Sequence, residues 1–336
     1  RPCDLGGRGT AGGEGGVMDE IRRGMKAKTI RKALRAKIDE WLDSIEDQAV
    51  RALAAKNTIV TGGSIASMLL GEKVNDFDLY FRDKATVVAV AKYYVGRFAP
   101  RKKAGIEVPI FVEEEGDRVR IVVKSAGVAS EQGSDKPYEY FEGSADGEAG
   151  NYLGEVMADP SEIQDTHDET EAAALEAADE GAKFRPVFLS TNAITLSHRL
   201  QIVLRFYGEP DEIHKNYDFT HCTNYWVAGD DKLTLRPEAL ESLLSRELRY
   251  VGSLYPVCSI IRLRKFVRRG WTVNAGQILK MIMQAAALDL TNHEVLRDQL
   301  TGVDAAYFCE LITKLKDNSP DKVNTAYLVE IIDRMF

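Results

Sequence analysis

Apolar residues at Ile30, Leu34, Ile38, Leu42 and Ile45 recur at helical spacing, which predicts a helix over residues 19–50. "NTIVTGG" then reads as a short buried strand ending in glycines, and "SIASMLLGEK" as a short helix closed by Gly71. "DFDLYF" alternates polar and apolar positions and reads as a second strand. "KATVVAVAKYYVGRF" is expected to be a helix, "VPIFVEE" and "RVRIVVKS" strands. Periodicity is lost over residues 131–183, where "EGSADGEAGNY" and "THDETEAAALEAADEGA" suggest a flexible acidic insertion with one transient helix around Glu169–Glu180. Four strand-like segments follow: "FRPVFLS", "AITL", "LQIVLRFYG" and "YDFTHCTNYW", the first two joined by the hairpin loop "TNA" and the last preceded by a helical turn in "EPDEIHKN". From Pro237 onward five amphipathic segments predict an all-α region.

The expected fold class is α+β: a mixed sheet with helices, then a helical C-terminal domain. The predicted division is residues 1–18 as a disordered or non-native N-terminus, 19–130 and 184–236 as the α/β domain, 131–183 as the insertion and 237–336 as the helical domain. "RPCDLGGRGTAGGEGGV" carries no apolar h-region, so no signal peptide is expected, and Met18 is a candidate natural start.

Charge sharpens this division. The chain carries a net -8, but residues 131–183 hold 16 Asp/Glu against Lys136 and Lys183, a net of -14, which leaves +6 on the remainder. A mildly basic body with an acidic insert is a different object from an acidic protein. Four scattered cysteines without CxxC pairing argue against a disulfide framework or structural zinc and fit a reducing cytoplasm. His221 beside Cys222 is not expected to form a metal site, because neighbours on a strand face opposite ways. No run of eighteen apolar residues predicts a membrane span.

The chemistry concentrates in "TGGSIASMLLGEKVNDFDLYF". On a strand, Asp76 and Asp78 lie two apart and share a face, while Phe77 and Leu79 point to the core. Two carboxylates this close repel unless a cation neutralises them, and Mg²⁺ or Mn²⁺ is the natural choice, with substrate phosphates completing its shell. Gly62 and Gly63 allow close approach of a phosphate, the following helix offers its free N–H groups, and Ser64 can cap that helix or donate to phosphate. Together they read as a nucleoside-triphosphate site.

Gly62-Gly63, a short helix ending in Leu69-Leu70-Gly71 and then Asp76-x-Asp78 resemble the polymerase-beta-type nucleotidyltransferase superfamily, in particular the head of tRNA CCA-adding enzymes and bacterial poly(A) polymerases. Those enzymes usually have Arg-Asp within the helix, where this chain has Ala66-Ser67. The resemblance implies transfer of a nucleoside monophosphate from an NTP to an acceptor hydroxyl, with Mg²⁺ or Mn²⁺ held by Asp76 and Asp78 and a third carboxylate on a later strand. Asp218 in "NYDFTHCTNYW" is the candidate third metal ligand and catalytic proton acceptor. The segment also resembles the Arg-Arg-Asp-Phe-Thr-x-Asn stretch of CCA-adding enzymes, with Asn216-Tyr217 for the arginines, which would make Asp218 a nucleotide-binding residue instead.

In "IIRLRKFVRRGW", Arg262, Lys265 and Arg269 share one helical face and form a candidate triphosphate- or RNA-binding stripe, weighed against a solvated face. Lys215 and Arg205 are further phosphate-contact candidates, and Tyr225, Trp226 and Trp271 read as core before stacking platforms. The expected acceptor is an RNA 3′ end, tRNA-like. A protein hydroxyl, a small molecule, or a catalytically silent nucleotide- or partner-binding role stay open. The acidic insert reads first as a variable surface loop and second as an RNA mimic covering the basic groove.

Overall fold

The computed structural model describes residues 23–98, 110–123, 140–142, 183–190 and 192–290, with positions 292, 295 and 299. The N-terminal segment 1–18, most of the acidic insertion and the last two expected helices lie outside the described residues. The class is α+β, as the sequence predicts.

The first expected helix is in fact two, α1 (Ala27–Ser44) and α2 (Gln48–Asn57). Asp47 breaks it: its carboxylate accepts the Ala49 and Val50 amides at 2.8 and 3.1 Å, an N-cap that outcompetes continuation of the helix. α1 still presents Ile30, Leu34, Ile38 and Trp41 to the core, and Trp41 Nε1 donates to the Tyr94 hydroxyl at 2.8 Å. Its basic face is partly engaged, since Arg31 and Arg35 reach Asp231 at 3.7 and 3.0 Å.

Next come β1 (Thr58–Thr61), α3 (Gly63–Leu70), β2 (Phe77–Phe81) and α4 (Lys84–Arg97). α3 ends as expected on Gly71 in the left-handed region. β3 (Ile110–Glu115) and β4 (Arg118–Val123) pair with each other as a separate ribbon. β5 (Tyr140–Glu142) falls inside the segment expected to be flexible and pairs antiparallel with β6 (Pro186–Ser190). β7 (Ala193–Leu196), β8 (Leu200–Val203) and helix α5 (Pro210–His214) follow.

The strand expected over "YDFTHCTNYW" is reduced to a 3₁₀ turn, Thr220–Cys222, and a short β9 (Tyr225–Val227). β10 (Lys232–Thr234) carries no legible alternation, with one exposed and two half-buried residues. The last described elements are α6 (Pro237–Ser245), α7 (Pro256–Arg268) and α8 (Ala275–Ala286). α6 stops earlier than its apolar pattern suggests because Arg246 turns left-handed, φ 49°.

The eight-stranded sheet has the order β10-β9-β1-β2-β8-β7-β6-β5, with β2 and β8 parallel and the other pairs antiparallel. Its two faces are chemically distinct. Val60, Leu79, Phe81 and Trp226 join α1 and α4 in the main core, whereas Ile59, Tyr80, Ile213 and Val227 form a small cluster on the other face. A third cluster, including Ala66, Phe219, Tyr250, Trp271 and Met281, ties α3 to the helical half.

Candidate functional site

The register of the sheet builds the site. Asp78 lies opposite Thr61, Thr61 opposite Tyr225 and Tyr225 opposite Thr234, while Gln201 stands beside Asp78 on β8. Residues directly opposite in a ladder share a face, so these form a polar row across the sheet. Asp76 lies one residue before β2, half-buried, at the same end. Leu79 is fully buried and Phe77 packs against the core, as the alternation requires.

The glycine turn abuts this row. Gly62 has φ +101°, and a Cβ there would stand 2.5 Å from Asp78 Oδ2, so both backbone and neighbour exclude a side chain. Its amide donates to the Cys222 carbonyl at 3.1 Å. Thr61 Oγ1 donates to the Asn224 carbonyl at 3.0 Å and lies 2.8 Å from His214 Nε2. These bonds staple the end of β1 to the Thr220–Cys222 turn and to α5. Gly63 differs from Gly62, since it is exposed and a Cβ there meets nothing within 4 Å. Ser64 does not cap α3; it is the helix's second residue, 2% exposed, and its Oγ has no hydrogen-bond partner among the described residues. A buried hydroxyl in that condition, at a helix N-terminus without a side-chain cap, suits an incoming acceptor oxygen such as a phosphate's.

Asp218 lies near the helical half of the chain. It lies two residues before the 3₁₀ turn, and its carbonyl accepts from the Val251 amide at 3.0 Å. Its Oδ2 accepts from Arg262 at 2.7 Å and its Oδ1 from the Phe219 amide at 3.1 Å. Among the described residues no group of three or more His, Cys, Asp or Glu could hold a metal ion. Asp76 and Asp78 remain an all-oxygen pair of the kind that shares Mg²⁺ or Mn²⁺ with substrate phosphates.

The predicted basic stripe comes to the same region. Phe266 of α7 packs on Phe219 and His221 at ring separations of 5.5 and 4.7 Å, which sets α7 against the 3₁₀ turn. Cys222, half-buried, reports the local field: burial and then the Asp218 and Asp78 carboxylates push its thiol up, while Arg262 and Arg269 pull it down. Lys265 is half-buried on the same helix. Burial, then Asp78, also pushes the Tyr80 hydroxyl up, and burial with Tyr80 and Asp78 does so for Tyr217.

Of the other candidates, Lys215 pairs with Glu212 at 2.7 Å and Arg205 stacks over the Tyr255 ring at 5.0 Å. Trp226 and Trp271 are core residues, and Tyr225 is half-buried beneath Arg236, 5.6 Å away. Burial depresses His221 and His214 to about 4, so both are neutral in the folded protein near pH 7. Sequence reasoning missed Thr61, Gln201 and His214, which join the site only through register and a long-range hydrogen bond.

The Gly-Gly-Ser turn, the short helix and the Asp-x-Asp segment at one end of a mixed sheet make the arrangement nucleotidyltransferase-like. The chain belongs to the Gabija anti-defense 2 family, whose model matches residues 32–246. A relative from Bacillus phage SPbetaL7, "Gabija anti-defense 2", is 22% identical over 121 residues, which are 35% of this chain and 30% of the relative. Among solved structures the fold is similar to the Thermotoga maritima CCA-adding enzyme complexed with tRNA, at 13% identity and a TM-score of 0.35, covering 78% of this chain and 49% of that one. It is also similar to an apo CCA-adding enzyme at 13% identity and a TM-score of 0.40, covering 82% and 49%. The chain thus spans about half the length of those enzymes.

Proposed function

We propose that this protein is a metal-dependent nucleotidyltransferase that moves a nucleoside monophosphate from an NTP to an acceptor hydroxyl, and that it serves the anti-defence role for which its family is named. The observation that carries this reading is the Gly62–Ser64 turn set against the Asp78 carboxylate, with the Ser64 hydroxyl buried and unpartnered among the described residues. Asp76 and Asp78 would hold Mg²⁺ or Mn²⁺, which when bound supplies neutralisation of the charge on the transferring phosphate and the leaving group.

The chain's own groups do the rest. The exposed Gly63 backbone and the N-terminal end of α3 receive the phosphates, and Ser64 donates to one of their oxygens. Arg262 and Lys265 on α7 and Arg269 at its C-cap offset the negative charge of the triphosphate or of an RNA backbone. The acceptor oxygen bonds to the α-phosphorus, the bond to pyrophosphate breaks, and the hydroxyl proton passes to a base or to water. An RNA 3′ end is the acceptor favoured by the basic α7 face and by the +6 charge left outside the acidic segment.

The test is incubation with each α-³²P-labelled NTP, Mg²⁺ or Mn²⁺, total RNA and cell extract, beside an Asp76→Ala/Asp78→Ala double variant. Label on RNA with wild type alone supports the reading, and label on protein relocates the acceptor. A second reading is a silent nucleotide- or partner-binding protein, favoured by the absence of a three-acid metal group among the described residues. It predicts no transfer, with anti-defence activity intact in the double variant.

A further inference from the structure

We propose that Asp218 is a positioning residue: it holds Arg262 in place for the triphosphate of the incoming nucleotide, and it is not a third metal ligand. The inference rests on the nucleotidyl-transfer reading and specifies how the helical half enters that site.

Four observations converge. Both Asp218 oxygens are engaged, Oδ2 by Arg262 at 2.7 Å and Oδ1 by the Phe219 amide at 3.1 Å. The strands flanking β2 place Thr61 and Gln201 level with Asp78, so neither neighbour in the sheet supplies a carboxylate there. The Asp218 backbone is committed elsewhere: Phe219 bridges Tyr250, the Thr220 amide donates to the Arg249 carbonyl at 3.0 Å, and the Val251 amide donates to the Asp218 carbonyl. This clamp holds Asp218 at the junction of sheet and helices. Finally, the Asp218 side chain is 15% exposed and that of Arg262 is 41% exposed, so the carboxylate is the more buried partner of the pair.

The electrostatics agree with this division. Burial works against the Arg262 charge, and Asp218, by field and hydrogen bond, outweighs it and holds the guanidinium above its ordinary pKa. A charged, pre-oriented guanidinium can bind two phosphate oxygens in its fork with little ordering cost. Phe266, one turn on from Arg262, packs on Phe219 and His221, and the Gly62 amide donates to the Cys222 carbonyl, so the helix that carries Arg262 and the glycine turn meet the same 3₁₀ turn. Removing the Asp218 charge leaves Arg262 chemically intact but unaimed, so the loss appears in nucleotide binding. Removing a metal ligand would appear in turnover and in metal demand.

The experiment compares wild type, Asp218→Asn, Asp218→Glu, Arg262→Gln and the Asp218→Asn/Arg262→Gln double variant, each first checked for its melting temperature. Two readouts are taken: affinity for a fluorescent adenosine triphosphate analogue in EDTA, and KM, kcat and half-saturating Mn²⁺ in the transfer assay. The proposal predicts that Asp218→Asn weakens metal-free binding and raises KM about tenfold, that kcat falls by less, and that half-saturating Mn²⁺ is unmoved. The double variant should bind as Arg262→Gln does, because Asp218 acts through Arg262, and Asp218→Glu should recover part of the loss.

A drop in kcat as deep as that of Asp76→Ala, with a raised Mn²⁺ requirement, would overturn the proposal in favour of a metal ligand. So would equal metal-free affinity in wild type and Asp218→Asn. If no variant transfers label, the nucleotidyl-transfer reading fails on its own. The metal-free arm still decides the positioning role, and no binding by wild type there would overturn it.

Discussion

Gly62 and Gly63 are adjacent and chemically identical, yet they answer to different constraints. Gly62 is required by its φ of +101° and by Asp78 Oδ2, 2.5 Å from where a Cβ would be. Gly62→Ala is therefore expected to cost about 1–3 kcal/mol of stability and to abolish transfer, measurable by denaturant melts beside the assay. Gly63 has open space around it, so Gly63→Ala should leave stability within about 0.5 kcal/mol. If phosphates approach the backbone there, the same change should weaken NTP binding several-fold without unfolding anything. The buried histidines give a second test at this scale. His214 and His221 stay neutral to about pH 4 when folded but titrate near 6.5 when unfolded. Below pH 6.5 the unfolded chain binds protons that the folded one refuses, so stability is full above that pH and lost as pH falls toward 4. The slope is about 1.4 kcal/mol per unit for each histidine. His221→Phe should flatten the fall in melting temperature over this window, and an unchanged slope would mean the ring is solvated.

At the level of elements, the turns matter more than the strands. Asp83 caps α4 through the Thr86 amide at 2.7 Å and also accepts from Thr86 Oγ1 and Asn57 Nδ2, each at 2.8 Å. Asp83→Ala removes a cap and leaves buried donors unmet, so a loss of about 2–4 kcal/mol in chemical denaturation is expected. These caps also explain what could be read from the chain beforehand. The core stripe of α1, the buried β1, the Gly71 stop and the Gly-Gly-Ser to Asp-x-Asp passage were legible because their causes are local: periodicity, a glycine stop and a two-residue alternation. The division at Asp47 and the left-handed Arg246 were not, because a cap or a turn competes with a helical pattern that is itself intact. β5 and β10 have only three residues each, and they exist through pairing with neighbours rather than through their own pattern. The Asp218–Arg262 pair was hidden for a related reason. Its partner lies 44 residues away on α7, and no spacing rule connects them.

For the whole molecule, charge is sorted rather than balanced. If the proposed RNA acceptor docks against the basic α7 face, its binding should weaken steeply as salt rises from about 50 to about 200 mM, since the chain carries +6 outside residues 131–183. Lys265→Gln/Arg269→Gln should lower the slope of log affinity against log salt by about 1–2, and an unchanged slope would remove α7 from the RNA contact. Whether these parts serve one reaction is decided most directly by the fate of the two ends of the triphosphate. The same NTP should be supplied labelled on the α-phosphorus in one tube and on the γ-phosphorus in another, to wild type and to Asp76→Ala/Asp78→Ala. The account predicts that α-label enters an acceptor, that γ-label leaves as pyrophosphate in equal amount, and that the double variant does neither. Release of γ-label as inorganic phosphate with no labelled acceptor, or equal transfer by the double variant, would contradict it.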